Sequence, residues 1–160
     1  MPQTAWGTGT GLDRMRELAI ETQDATFGPY DHLGMRITAV EKGRVELSWT
    51  PTAKVLNRSA AVHGGYIATA LDEVCAIAVI SMSEPSTPFV TMSLNIDYLR
   101  PLLLGQTYTA VGTIQTSGRI RSLARAEISD GIGRLCAQAT AALTPNRALL
   151  QPRSTTEAEA

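Results

Sequence analysis

The sequence predicts an α+β fold in which one curved antiparallel sheet of about six strands wraps around a long central helix. Three observations lead there. The stretch Gly65 to Met82 holds no Pro and four alanines, with apolar residues on nearly every face except near Asp72 and Glu73, and a helix apolar all round is a buried helix. Before and after it lie segments with the period of two that marks strands. The links between the later strands are short and rich in turn formers, so consecutive strands pair antiparallel. A chain of 160 residues, 44% apolar and 18% charged, suits one compact domain with a real core and is too weakly charged for a disordered polymer.

Taken in order, residues 1–11 are rich in Gly and Thr and read as a flexible tail ahead of a single domain spanning 12–144. From Leu12 to Thr26, the residues Leu12, Met15, Leu18, Ala19 and Thr22 fall near helical spacing, with Asp13 in the first turn. That pattern predicts an amphipathic helix. From Met35 the period becomes two: Ile37 and Ala39, then Val45, Leu47 and Trp49, with Glu41 to Arg44 as the turn of a hairpin. Pro51 closes it, and residues 51–62 form a loop into His63-Gly64-Gly65 and the buried helix. Glu84-Pro85-Ser86-Thr87-Pro88 ends that helix. Four strands are expected next, at 89–99, 106–115, 119–129 and 134–143. Residues 145–160, with two Pro and alternating Glu and Ala, read as a second flexible tail.

The formal net charge is −1, so there is no global basic field for nucleic acid or an anionic membrane. The distribution is uneven, because residues 100–153 carry seven basic and two acidic groups and could face a small anion. Met1 to Gly7 has neither a basic nor an apolar leader region, and the run Val74 to Ile80 is too short to span a bilayer. Cys75 and Cys136 stand far apart, with no zinc or redox spacing. These features predict a cytoplasmic protein without a metal site, whose two cysteines fill core.

Chemistry concentrates where the loop becomes the buried helix. The first N–H groups of a helix lack internal partners and sit at the positive end of its dipole, so Gly64 and Gly65 could hold an oxyanion with no Cβ in the way. An ordinary turn and helix start is the alternative. Asp72, nine residues after His63, is a carboxylate in an apolar helix and must be paired, protonated or employed. A base or nucleophile is one reading, and an exposed Asp-Glu pair is the other. Glu73 is the competitor, about 100° away around the helix.

Asn57, His63-Gly64-Gly65, Asp72 and the strand Val90 to Pro101 with its Leu99-Arg100-Pro101 end together resemble the hotdog-fold acyl-CoA thioesterases. The likeness is to the phenylacetate-degradation-type branch of the 4-hydroxybenzoyl-CoA thioesterase superfamily, from about Met35 to Leu143. The resemblance implies a hotdog fold and hydrolysis of an acyl-CoA to free acid and coenzyme A. Asp72 then matches the acid that attacks the carbonyl or activates water, and the Gly64 N–H matches the donor that polarises it. Asn57 and His63 match residues that shape the pocket and assist near the leaving sulfur or the attacking water, and Thr91 matches the Ser or Thr that positions the acid or the water. No cofactor is implied beyond the coenzyme A of the substrate.

The resemblance further implies a homodimer, or a dimer of dimers, in which one subunit supplies the acid and its neighbour the His-Gly pair. Arg119, Arg121 and Ser122, with Gly65, are the candidate coenzyme A contacts, the two Arg sharing one face of a strand start. A solvated strand face, a loop histidine and a turn asparagine remain the plain alternatives. Ala76 and Ala78 stand where some relatives place a hydroxyl, which puts the water-holding role on Thr91. Tyr66, Ile67, Phe89 and the loop 57–62 are candidates for the acyl pocket. Other hotdog readings are a non-catalytic acyl-CoA sensor and a hydratase or dehydratase.

Overall fold

The computed structural model describes residues 6–23 and 28–150. Helix α1 (Gly11–Glu21) and the short α2 (Gly28–Leu33) precede the hairpin β1 (Met35–Glu41) and β2 (Arg44–Trp49). The long helix α3 (Gly64–Ile80) follows, then β3 (Phe89–Tyr98), β4 (Tyr108–Thr116), β5 (Ser122–Ser129) and β6 (Leu135–Pro145). All six strands form one antiparallel sheet in the order β1-β2-β4-β5-β6-β3. The predicted sheet around a central helix therefore forms, with α3 packed chiefly on β4 and β5.

Small residues set how closely α3 lies on the sheet. Ala110, Ala124, Ala126, Ala137, Ala139 and Ala141 are buried beneath it. At Gly112 an added Cβ would stand 2.1 Å from the Val74 carbonyl oxygen, so only Gly admits the helix at this distance. Trp49, Tyr108, Leu47, Leu71 and Ile128 are among the large side chains fully buried in the same core. The Trp49 Nε1–H donates to the Leu33 carbonyl at 2.8 Å, which satisfies the indole in the core.

Several expectations need correcting. The first helix stops at Glu21, and residues 24–26 of the expected helix lie outside the described residues. Thr10 caps its start by accepting from the Asp13 N–H at 3.1 Å. The 1–11 segment is not free from Trp6 onward. Gly7 N–H donates to Ser86 O, Ser86 N–H to Gly9 O and Gly11 N–H to Ser83 O, while the Arg14 guanidinium stacks 4.0 Å from the Trp6 ring. Residues 1–5 and 151–160 lie outside the described part, and β6 with the 3₁₀ turn Arg147–Leu150 occupies the start of the expected C-terminal tail.

The two sheet edges differ. Along β1, Thr22 Oγ1 accepts from the Ile37 N–H and Gln23 Nε2 donates to the Ile37 carbonyl, so the end of α1 covers that edge. Strand β3 pairs with β6 on one side and is the last strand of the sheet on the other. Val90, Met92 and Tyr98 on β3 are exposed, as is Leu99 just beyond it. A long uncovered edge with apolar side chains is a template for another strand.

Candidate active site

The α3 N-terminus is fixed by its own loop. The His63 N–H donates to Val55 O at 2.9 Å and the Val62 N–H to Leu102 O at 2.8 Å, while Leu56 bridges Val62 and Ala61 bridges Leu103. His63 is the N-cap: its Nδ1 accepts from the Gly65 N–H at 3.0 Å. A neutral ring in that geometry carries its proton on Nε2. Gly65 thereby has its N–H engaged, and among the described residues no acceptor within the chain meets the N–H of Gly64. Of the two predicted glycines, Gly64 is the one left able to hold an oxyanion.

Asp72 is half-buried on α3, facing β3, where the Thr91 hydroxyl donates to its Oδ1 at 2.8 Å. The expected acid and hydroxyl are thus brought together. Glu73 points elsewhere: it accepts a short hydrogen bond from the Tyr30 hydroxyl on α2. Burial raises the Glu73 carboxyl above the usual range and the charge of Asp72 adds to this, with the Tyr30 hydrogen bond opposing. The two adjacent acids therefore have separate partners, Asp72 meeting Thr91 on β3 and Glu73 tying α2 to α3.

A group whose folded pKa lies above its unfolded value favours the protonated fold, so its contribution is greatest in acid. It is lost as pH rises from the ordinary carboxylate range through the raised value. Glu73→Gln keeps an acceptor for Tyr30 and removes the titration. Its Tm relative to the parent is expected to climb with pH across that window and then level off, as read by thermal melts in a pH series. A constant difference would contradict the buried-carboxyl account.

Tyr98 was not expected at the site. Its hydroxyl donates to the Gly64 carbonyl at 3.0 Å, and its ring would meet a Cβ at Gly64 at 3.4–3.5 Å. The register shift between Thr91 and Ser93 lets Thr91 and Tyr98 both look toward α3. Strict alternation by two would have put them on opposite faces, so only that irregularity, invisible in the residue pattern, places Tyr98 here.

Other expected residues are placed differently. Asn57 Oδ1 accepts from the Ser59 and Ala61 N–H groups at 2.8 and 3.3 Å, which shapes the loop as a turn asparagine does. Strand β5 begins at Ser122, so Arg119 and Arg121 are exposed on the preceding turn rather than on a strand face. Ser122 is buried, its Oγ facing the Gly118 N–H at 3.4 Å. The shared strand face foreseen for the two Arg is not formed, because the strand starts only at Ser122.

An open pocket of about 460 Å³ adjoins the helix start, lined by Lys54, Leu56, His63, Gly65, Tyr66 and Thr69. It takes Tyr66 from the expected acyl-pocket residues. Ile67 is 4% exposed and belongs to the core. Among the described residues no group of three His, Cys, Asp or Glu side chains is placed to hold a metal ion, and no helix is long and apolar enough to cross a membrane. Burial pushes the Cys75 thiol up to about 12, an inert core position.

One distance governs what the site can do. Gly64 and Asp72 are eight residues apart on one straight helix, about 12 Å along its axis. A single carbonyl carbon cannot be held by one and attacked by the other within one chain.

The model of the thioesterase superfamily matches residues 60–137, which hold His63, Gly64, Asp72, Thr91 and Tyr98. Acyl-coenzyme A thioesterase PaaI of Escherichia coli is 31% identical over 87 residues, 54% of this chain and 60% of that protein. The chain thus spans less than two thirds of that relative's length. The solved structure of the PaaI protein from the E. coli phenylacetic acid degradation operon superposes with a TM-score of 0.73 at 23% identity, covering 84% of this chain and 96% of that one. A hypothetical thioesterase of Streptococcus pneumoniae, solved with coenzyme A, gives 0.66 at 26% identity over 70% of this chain and 88% of its own. With its six-stranded sheet around α3, the chain has the hotdog fold seen in the PaaI structure, and its residues 60–137 are similar to the thioesterase superfamily.

Proposed function

We propose that this protein hydrolyses an acyl-CoA thioester to a free acid and coenzyme A, in sites that two copies of the chain build together. The observation that carries this reading is the split arrangement on α3: an unengaged Gly64 N–H at the positive helix end, and about 12 Å away an Asp72 carboxylate oriented by Thr91. Antiparallel association of two chains through the open β3 edge brings the helix start of one copy to the acid of the other. The relatives named acyl-coenzyme A thioesterase support the chemistry.

In such a site the thioester oxygen rests on the Gly64 N–H, and the charge that develops there meets a preorganised donor and the helix dipole. Thr91 occupies Oδ1 of Asp72, which leaves Oδ2 to take a proton from water or to attack the carbonyl carbon itself. The tetrahedral adduct collapses with rupture of the C–S bond, and the thiolate of coenzyme A takes up a proton. Where water attacked, this frees the acid directly; where Asp72 attacked, a water then cleaves the Asp72–acyl anhydride to the free acid and restores the carboxylate. The His63 Nε2–H lies at the same helix end, where the leaving sulfur would pass. Tyr98 holds the first turn of α3 by its hydrogen bond to Gly64 O. Asn57 keeps the loop in shape, and Gly65 with the exposed Arg119 and Arg121 are proposed contacts of the coenzyme A portion.

Thiol release from a panel of acyl-CoAs tests the reading, with light scattering on the same sample. Release by a dimer or larger assembly is expected. A sensor would bind without release, and a hydratase would alter the acyl chain without freeing thiol. Full activity from a monomer would remove the shared site.

A further inference from the structure

We propose, on the basis of the thioesterase reading above, that the pocket beside the α3 N-terminus is an acyl subsite in which Lys54 recognises a carboxylate. Half-thioesters of dicarboxylic acids with coenzyme A are then the preferred substrate class. The pocket shares His63 and Gly65 with the candidate active site and adds Lys54, Leu56, Tyr66 and Thr69. Its lining residues His63 and Gly65 flank Gly64, on whose N–H the thioester oxygen is proposed to rest.

Lys54 is held there by the backbone. It sits on the 3₁₀ turn Ala53–Val55, whose Val55 side chain is fully buried and whose Val55 carbonyl accepts the His63 N–H at 2.9 Å. The position of Lys54 is therefore coupled to that of His63, while its side chain is exposed. Among the described residues its ammonium makes no ion pair. Two of the pocket's other polar groups are already engaged: the Thr69 hydroxyl donates to Gly65 O at 3.0 Å, and the Gly65 N–H donates to His63 Nδ1. Leu56 and Tyr66, both half-buried, give the pocket apolar walls. An apolar path from the thioester to an unpaired ammonium fits an acyl chain that ends in a carboxylate. A chain ending in methyl would displace water from the ammonium and return nothing to it, so the same residue discriminates against it.

Coenzyme A itself carries anions, but its phosphates lie a full pantetheine arm from the sulfur, whereas this pocket begins at the carbonyl site. The two sources separate in kinetics with adipoyl-CoA and hexanoyl-CoA, which have equal chain length. The parent protein is expected to favour adipoyl-CoA in kcat/KM by about fivefold, the upper end for an ion pair in contact with water. Lys54→Met is expected to abolish that preference through KM for adipoyl-CoA, and Lys54→Arg to keep it. No preference in the parent, or no change in Lys54→Met, overturns the assignment. An equal rise in KM for both substrates overturns it too and gives Lys54 to the phosphates. Calorimetry with the non-hydrolysable thioether analogues keeps the two readings apart. A Lys54-dependent preference in binding without thiol release sinks the hydrolase and leaves the subsite, and turnover without preference does the reverse.

Discussion

Asp72→Asn is expected to lower kcat for thiol release by ~10²- to 10⁴-fold, the range of a lost general base, while leaving the melting temperature nearly unchanged. The side chain keeps its size, and its amide oxygen still accepts from the Thr91 hydroxyl that now meets Oδ1, so the helix and its contact with β3 survive. What disappears is the second carboxylate oxygen, the group that takes a proton or attacks. The adjacent acid is the internal control. Glu73 bonds to Tyr30 on another face of α3, and Glu73→Gln is expected to leave turnover within about twofold, the scale of a change that removes no transition-state contact. Loss of turnover in Glu73→Gln with retention in Asp72→Asn would place the chemistry on the wrong acid.

The same pair shows how far the sequence could be read. Helix α3 was legible because eight of its residues are buried, and a helix that buries several faces announces itself by composition alone. Asp72 stood out as a carboxylate in that apolar stretch, and the separation of the two acids followed from the helical angle. Their partners did not follow. Helix α2, which delivers Tyr30, is six residues long, too short for periodicity to register, although Pro29 near its start was a usable signal. Tyr98 faces Gly64 because β3 slips register after Thr91, and a bulge leaves no composition signature. The start of β5 was misplaced because Arg119-Ile120-Arg121 alternates like a strand while the chain is still turning. Lys54 was passed over because a surface lysine in a loop is unremarkable until the Val55–His63 hydrogen bond shows what it stands beside.

Mixing two inactive variants should restore activity if the site is shared between chains. Gly64 occupies the first position of α3, where Pro is well tolerated because its missing N–H has no helical partner to lose. His63 before it has φ −65° and ψ 135°, the extended conformation that a following Pro requires. The His63 Nδ1 contact with Gly65 is untouched, and a Cβ at Gly64 meets the Tyr98 ring at 3.4 Å, ordinary contact. Gly64→Pro therefore removes one N–H and little else, and kcat is expected to fall by ~10²- to 10³-fold, as when one oxyanion donor is lost. Gly64→Ala, which keeps the N–H, should retain most activity. When Gly64→Pro and Asp72→Asn chains are unfolded together and refolded in equal amounts, random pairing makes about half the dimers mixed. Each mixed dimer holds one site with both defects and one with neither, so about a quarter of parental activity should return. A mixture no more active than the average of its two components would mean that Gly64 and Asp72 serve the same site from the same chain, against the 12 Å that α3 sets between them.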